Sequence, residues 1–135
     1  MLQLVKFYDI ITLKGGEKMG VYIVVLCFIL FDIVTGIIKA IYTKKLNSTV
    51  LRQGLFHKIA EIITVFGTGL MQFGMVYVDL GVDIPLLPVV SSYICIMEII
   101  SIMENLAQVN STVGRLFKPY LEKLKQKEDE TLGEN

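Results

Sequence analysis

The chain of 135 residues has no tryptophan, one histidine, two cysteines and three prolines. Cys27 and Cys95 each lie inside an apolar segment, so neither a disulfide nor a metal site is expected, and both read as small buried hydrophobes. No basic cluster is interleaved with aromatic residues on a polar face, which removes the footprint of a nucleic-acid binder. A glycine-rich phosphate loop is also missing. Neither sign of charge is in excess, since 13 Lys and Arg face 13 Asp and Glu, but the balance hides a strong segregation of charge along the chain.

What is present is apolar: 53% of residues are hydrophobic, and a mean hydropathy of +0.61 makes this a small all-α integral membrane protein rather than a soluble domain. The first unbroken run, Val21 to Ile41, matches the ~20 residues that a helix needs to cross a bilayer. It lacks a small-residue cleavage signature, carries Asp32 within it and is followed by further runs, so it is a span and not a signal peptide.

Within that run Asp32, Thr35, Gly36 and Lys39 recur at helical spacing and form one stripe, with lipid left to the other face. A charge near mid-membrane costs about 2.5–3.5 kcal/mol even on lenient scales, so the stripe is read as a packing or pore surface. Gly36 and Ala40 add a small-xxx-small step that lets a second backbone approach. The competing reading is a lone helix whose Lys39 snorkels to the interface and whose Asp32 is neutralised in a packed bundle.

Three spans are expected, over about 19–42, 59–80 and 86–108, inside a membrane domain of residues 19–112. Between the first two lies a basic polar segment from Thr43 to Thr49, with Arg52 and Lys58 beyond it, where Asn47 or Ser48 is placed to cap a helix. The second span carries Glu61, Thr64, Thr68 and Gln72 as another polar stripe, with Gly67, Gly69 and Gly74 allowing close packing. Asp79 to Asp83 is an acidic turn, and Pro85 and Pro88 suit the opening turn of a helix. The third span sets Ser91, Glu98, Ser101, Asn105 and Gln108 close to a seven-residue repeat, with Glu104 beside it.

The flanks differ from the spans. Residues 1–18 suit a short interfacial amphipathic helix broken at Gly15-Gly16, with a leader lacking structure as the alternative. The string Lys14-Gly15-Gly16-Glu17-Lys18-Met19 is also what a purine-rich ribosome-binding site such as GGAGGAGAA would encode ahead of a second start at Met19. Residues 113–135 read as a charged tail, helical at first and disordered later.

Cations near the span ends give the topology. The loop after the first span and the tail are basic, the Asp79 to Asp83 turn has no Lys or Arg, so the C-terminus is placed in the cytoplasm and the N-terminus outside, against the three lysines of the leader. Lys39, Glu61 and Glu104 then share a depth near the cytoplasmic face, where Lys39 finds a carboxylate. Asp32 and Glu98 lie deeper with no cation at their own level, which calls for a shared proton or water in an assembly. Three polar stripes are hidden either by self-association around subunit contacts or a lumen, or by hydrogen bonds within a tight bundle.

Several of these strings together resemble one known family. Asp32-x-x-Thr35-Gly36-x-x-Lys39-Ala40, Lys44-Lys45-Leu46-Asn47-Ser48, Gly54 with Lys58, and Glu98-x-x-Ser101-x-x-Glu104-Asn105 resemble the toxin secretion/phage lysis holin family over about residues 25–106. The resemblance implies a bacteriophage or prophage holin: a homo-oligomer in the bacterial cytoplasmic membrane that forms timed lesions releasing an endolysin or a secreted toxin. It also implies pairing of long and short products, which fits Met1 and Met19. Where the family pattern has Lys-Lys, this chain reads His57-Lys58. No catalytic residue, cofactor or nucleic-acid partner is expected. A non-lytic channel or scaffold subunit is the runner-up, and a small membrane lipid kinase stands further off, for Asp32 and Glu98 lie too deep for a soluble nucleotide.

Overall fold

The computed structural model describes Met1 and residues 15–79, 81 and 84–133. Among the described residues four helices follow one another: α1 Gly15–Tyr42, α2 Ser48–Gly74, α3 Leu86–Val109 and α4 Ser111–Gly133. Among the described residues there is no strand. Residues 2–14 of the expected N-terminal amphipathic segment lie outside the described residues; α1 is already helical at Gly15, where a break is expected.

Local chemistry explains the ends. Beyond Tyr42, Lys44 takes the left-handed conformation (φ 54°), with Lys44 N–H donating to Ile41 O at 3.1 Å and Lys45 N–H to Ala40 O at 3.0 Å. This is a Schellman cap, built here without its usual glycine. Asn47 then opens α2, its side-chain oxygen accepting from Thr49 N–H at 2.9 Å and Val50 N–H at 3.4 Å. Asn110 separates α3 from α4: its N–H closes on Leu106 O at 2.9 Å, and its side chain caps Thr112 N–H at 2.9 Å. α3 starts behind Pro85, with Pro88 in its first turn, where a missing N–H is harmless.

The first three helices form an up-down-up bundle. Tyr22 of α1 stacks on Phe66 of α2, ring centroids 4.9 Å apart, and Gly69 sits so close that a Cβ there would collide with the Tyr22 hydroxyl. At the same end Gln72 accepts from Leu87 N–H at 2.8 Å. Val25, Ile29, Val65, Leu87 and Ile94 make a small apolar core there, while Asn105 reaches Asp32 toward the other end. α1 and α3 therefore run parallel, with α2 antiparallel to both.

Burial is inverted relative to a soluble domain. Asp32, Thr35, Thr68, Ser91, Glu98 and Asn105 are buried, whereas Ile23, Leu30, Phe31, Ile63, Leu70 and Phe73 face outward. A water-soluble bundle would hide the second group and expose the first. Cys27 is exposed as well, not the buried hydrophobe expected of it, and both cysteines are free.

The α1 and α3 segments Lys18–Tyr42 and Leu86–Val109 are long and apolar enough to cross a membrane. α2 differs from the expected span 59–80: it starts at Ser48 and ends at Gly74, so its polar first half dilutes its apolar second half, and 75–77 are turn. The tail also differs, because α4 stays helical to Gly133 instead of losing order. Its half-buried Val113, Phe117, Leu121 and Leu124 follow helical spacing. Gly114, packed near Ala107, turns the helix back along α3.

Candidate functional site

One ammonium ties the bundle together. Lys58 Nζ on α2 donates to both carboxylate oxygens of Glu98 on α3, at 2.6 and 2.7 Å, and lies 2.8 Å from Asp32 Oδ2 on α1. Glu61 Oε2, one turn along α2, is 3.4 Å away. The Glu98 side chain is 1% exposed and that of Lys58 13%. Asn105 extends the cluster by donating to Asp32 Oδ1 at 3.1 Å and Thr35 Oγ1 at 3.3 Å, while the Thr35 hydroxyl donates to Asp32 O at 3.0 Å.

Helix register explains how Lys58 arrives there. Asp32 lies ten residues before the end of α1 and Lys58 ten residues after the start of α2, so both sit about 15 Å from the same end of the hairpin. Because α2 begins at Ser48, Lys58 is about three turns deep inside the bundle and not in a surface loop. Two expectations are corrected: Asp32 and Glu98 do have a cation at their level, and it is Lys58, whereas Lys39 makes no ion pair among the described residues. Glu61 joins that deeper cluster rather than sharing a level with Lys39.

The other stripe residues divide between the bundle and its surface. Gly36, Lys39, Ala40 and Ser101 line a cavity of about 630 Å³ beside the cluster. Thr68 is buried and returns its hydroxyl to Thr64 O at 2.7 Å, while Thr64 is exposed and bonds Ala60 O at 2.8 Å. Gln72 joins α2 to α3 through the Leu87 bond. Glu104 points away from the bundle onto α4, where Lys125 Nζ meets it at 2.6 Å. That hydrogen bond holds the Lys125 ammonium above the ordinary lysine range. His57, exposed, stands 3.3 Å from Glu61 Oε1. Among the described residues no set of His, Cys, Asp and Glu is placed to hold a metal ion.

Lys58 is the residue that sequence reasoning assigned to the loop. Its signal was spacing: 58, 61, 65, 68 and 72 form one stripe on α2, and Lys58 simply precedes Glu61 by one turn.

A helical bundle with an apolar exterior and an ionic interior is a membrane protein. The chain matches the bacteriophage holin family over residues 9–126 and belongs to that family. It is not an enzyme family. No curated protein matches the chain, and no solved structure does.

Proposed function

We propose that the chain self-assembles in the bacterial cytoplasmic membrane and, at a set time, forms lesions through which an endolysin or a secreted toxin leaves the cell. The observation that carries this reading is the Lys58 ammonium, which joins Asp32 and Glu98 from three different helices inside an apolar-coated bundle. Such a cluster is neutral to stability at best compared with apolar packing, and it is strongly destabilising when broken. It suits a closed state that can be exchanged for another arrangement.

In the closed bundle the three polar stripes meet through Asp32, Thr35, Lys58, Glu98 and Asn105. In an assembly the same groups, Asp32, Thr35, Lys39, Glu61, Thr68, Glu98, Ser101 and Asn105 among them, face neighbouring copies or a water-filled lumen, and the apolar exterior stays in lipid.

The directions of the helices support a reading with three spans. If α1 and α3 cross the bilayer in parallel, α2 returns between them, and its 27 residues reach about 40 Å, beyond the ~30 Å hydrocarbon thickness. The basic hairpin end with Lys44, Lys45 and Arg52 then lies on the cytoplasmic side with α4, and the N-terminus lies outside. Residues 1–18 and a start at Met19 would set the proportion of long and short products.

Induction tests the reading. Expression of the full chain in a bacterium that also makes a muralytic enzyme should stop growth abruptly and release that enzyme into the medium. Continued growth with the enzyme retained inside, at confirmed membrane levels of the protein, overturns it.

A further inference from the structure

The 630 Å³ cavity between the C-terminal half of α1, the N-terminal half of α2 and the C-terminal half of α3 borders the cluster, with Asp32, Lys58 and Asn105 in its lining. Ile33, Ile37, Val50, Leu51 and Leu55 give it apolar walls, and besides Lys58 its lining carries two further ammonium groups, Lys39 and Lys45. Neither lysine makes an ion pair among the described residues. The space exists because Gly54 contributes no side chain: a Cβ added there would meet nothing within 4 Å. Val50, Leu51 and Leu55 remain exposed beside it.

We propose that this cavity seats one anionic phospholipid, its headgroup phosphate held between Lys39 and Lys45 and an acyl chain laid along Ile37, Leu51 and Leu55. Charge decides the occupant. A basic recess between membrane helices near the cytoplasmic surface suits an anionic headgroup, and the apolar wall below it suits a chain, which a free phosphate would leave uncovered. A bound lipid would also occupy the flank of the Asp32 and Asn105 pair, whose residues line the same cavity. The proposal rests on the membrane placement given above.

Native mass spectrometry of the full-length chain in mild detergent tests it, with phosphatidylglycerol or phosphatidylcholine of matched acyl chains as probes. The wild type should retain one phosphatidylglycerol per chain in preference to phosphatidylcholine. A double Lys39→Gln, Lys45→Gln variant should lose about 30-fold of that preference, from the loss of two interfacial cations. Gly54→Leu should fill the cavity and abolish retention with unchanged helical circular dichroism; if it does not fold, the double variant still decides. Equal retention of the two lipids by the wild type, or undiminished preference in the double variant, overturns the proposal. So does a protein-to-protein cross-link from this cavity in the absence of lipid, which would make a second copy the occupant. These readouts need no lysis, so a chain that retains lipid but fails to release the muralytic enzyme sinks the lesion reading alone.

Discussion

Lys58→Met should be far more damaging than its position near the start of the second apolar run suggests. The substitution keeps most of the side-chain volume but leaves Glu98, 1% exposed, and Asp32, 8% exposed, without the ammonium they share. Breaking a buried pair in this way costs about 3–5 kcal/mol, mostly from the uncompensated carboxylates. A penalty of about 3 kcal/mol on the closed bundle corresponds to roughly a 150-fold shift between closed and open forms. Two assays follow. Denaturant titration of the detergent-solubilised chain, read by circular dichroism, should show the loss of stability, and induction should bring growth arrest earlier. The triple variant Lys58→Met, Asp32→Asn, Glu98→Gln removes the stranded charges while nearly preserving volume, and it should recover most of the stability. A single Lys58→Met variant as stable as the wild type, with an unaltered onset of arrest, would refute the role given to the Lys58 cluster.

Gly69→Val places side-chain atoms where the Tyr22 hydroxyl lies, so it should destabilise the bundle by about 1–3 kcal/mol, and a second change, Tyr22→Phe, should return part of that loss in the same titration. Lys44→Gly removes the left-handed strain at the end of α1 and should raise stability by up to about 1 kcal/mol; a measurable loss instead would contradict the Schellman cap. Glu104→Gln breaks only the half-exposed contact with Lys125, so stability should fall by less than about 1 kcal/mol and the time of arrest should not change.

The sequence makes some levels of this molecule legible and hides others, for physical reasons. Helical class and the cap at Asn47 follow from composition and from side-chain chemistry acting over two or three residues. The buried Asp32, Thr35, Glu98 and Asn105 follow from spacing, because a polar group every three or four residues in an apolar run has to turn toward protein. Pairing between stripes is another matter, since spacing fixes a face and not the sliding of one helix against the next. Taking the second span to begin at residue 59 left Lys58 at the membrane surface; eleven further residues of helix, back to Ser48, move it to the level of Asp32. The error was one of register alone, yet it left Asp32 and Glu98 without the cation they share.

The presence of Lys58 changes what the cluster can do. With Lys39 paired near the cytoplasmic face, as expected from depth, Asp32 and Glu98 would hold no cation and no ionic contact would join the helices at their level. Lys58 joins α2 to both α1 and α3, so the ionic contacts report on whether the three helices are together. With Asp32, Glu61 and Glu98 gathered around one ammonium, the group holds more carboxylates than cations. Any separation of α2 from its neighbours strands at least two of them in the apolar interior, where they demand water or a cation from another copy. On the proposed function, the physical route from the closed bundle to a wet assembly therefore runs through one side chain, and the timing of arrest in the Lys58 variants tests it directly.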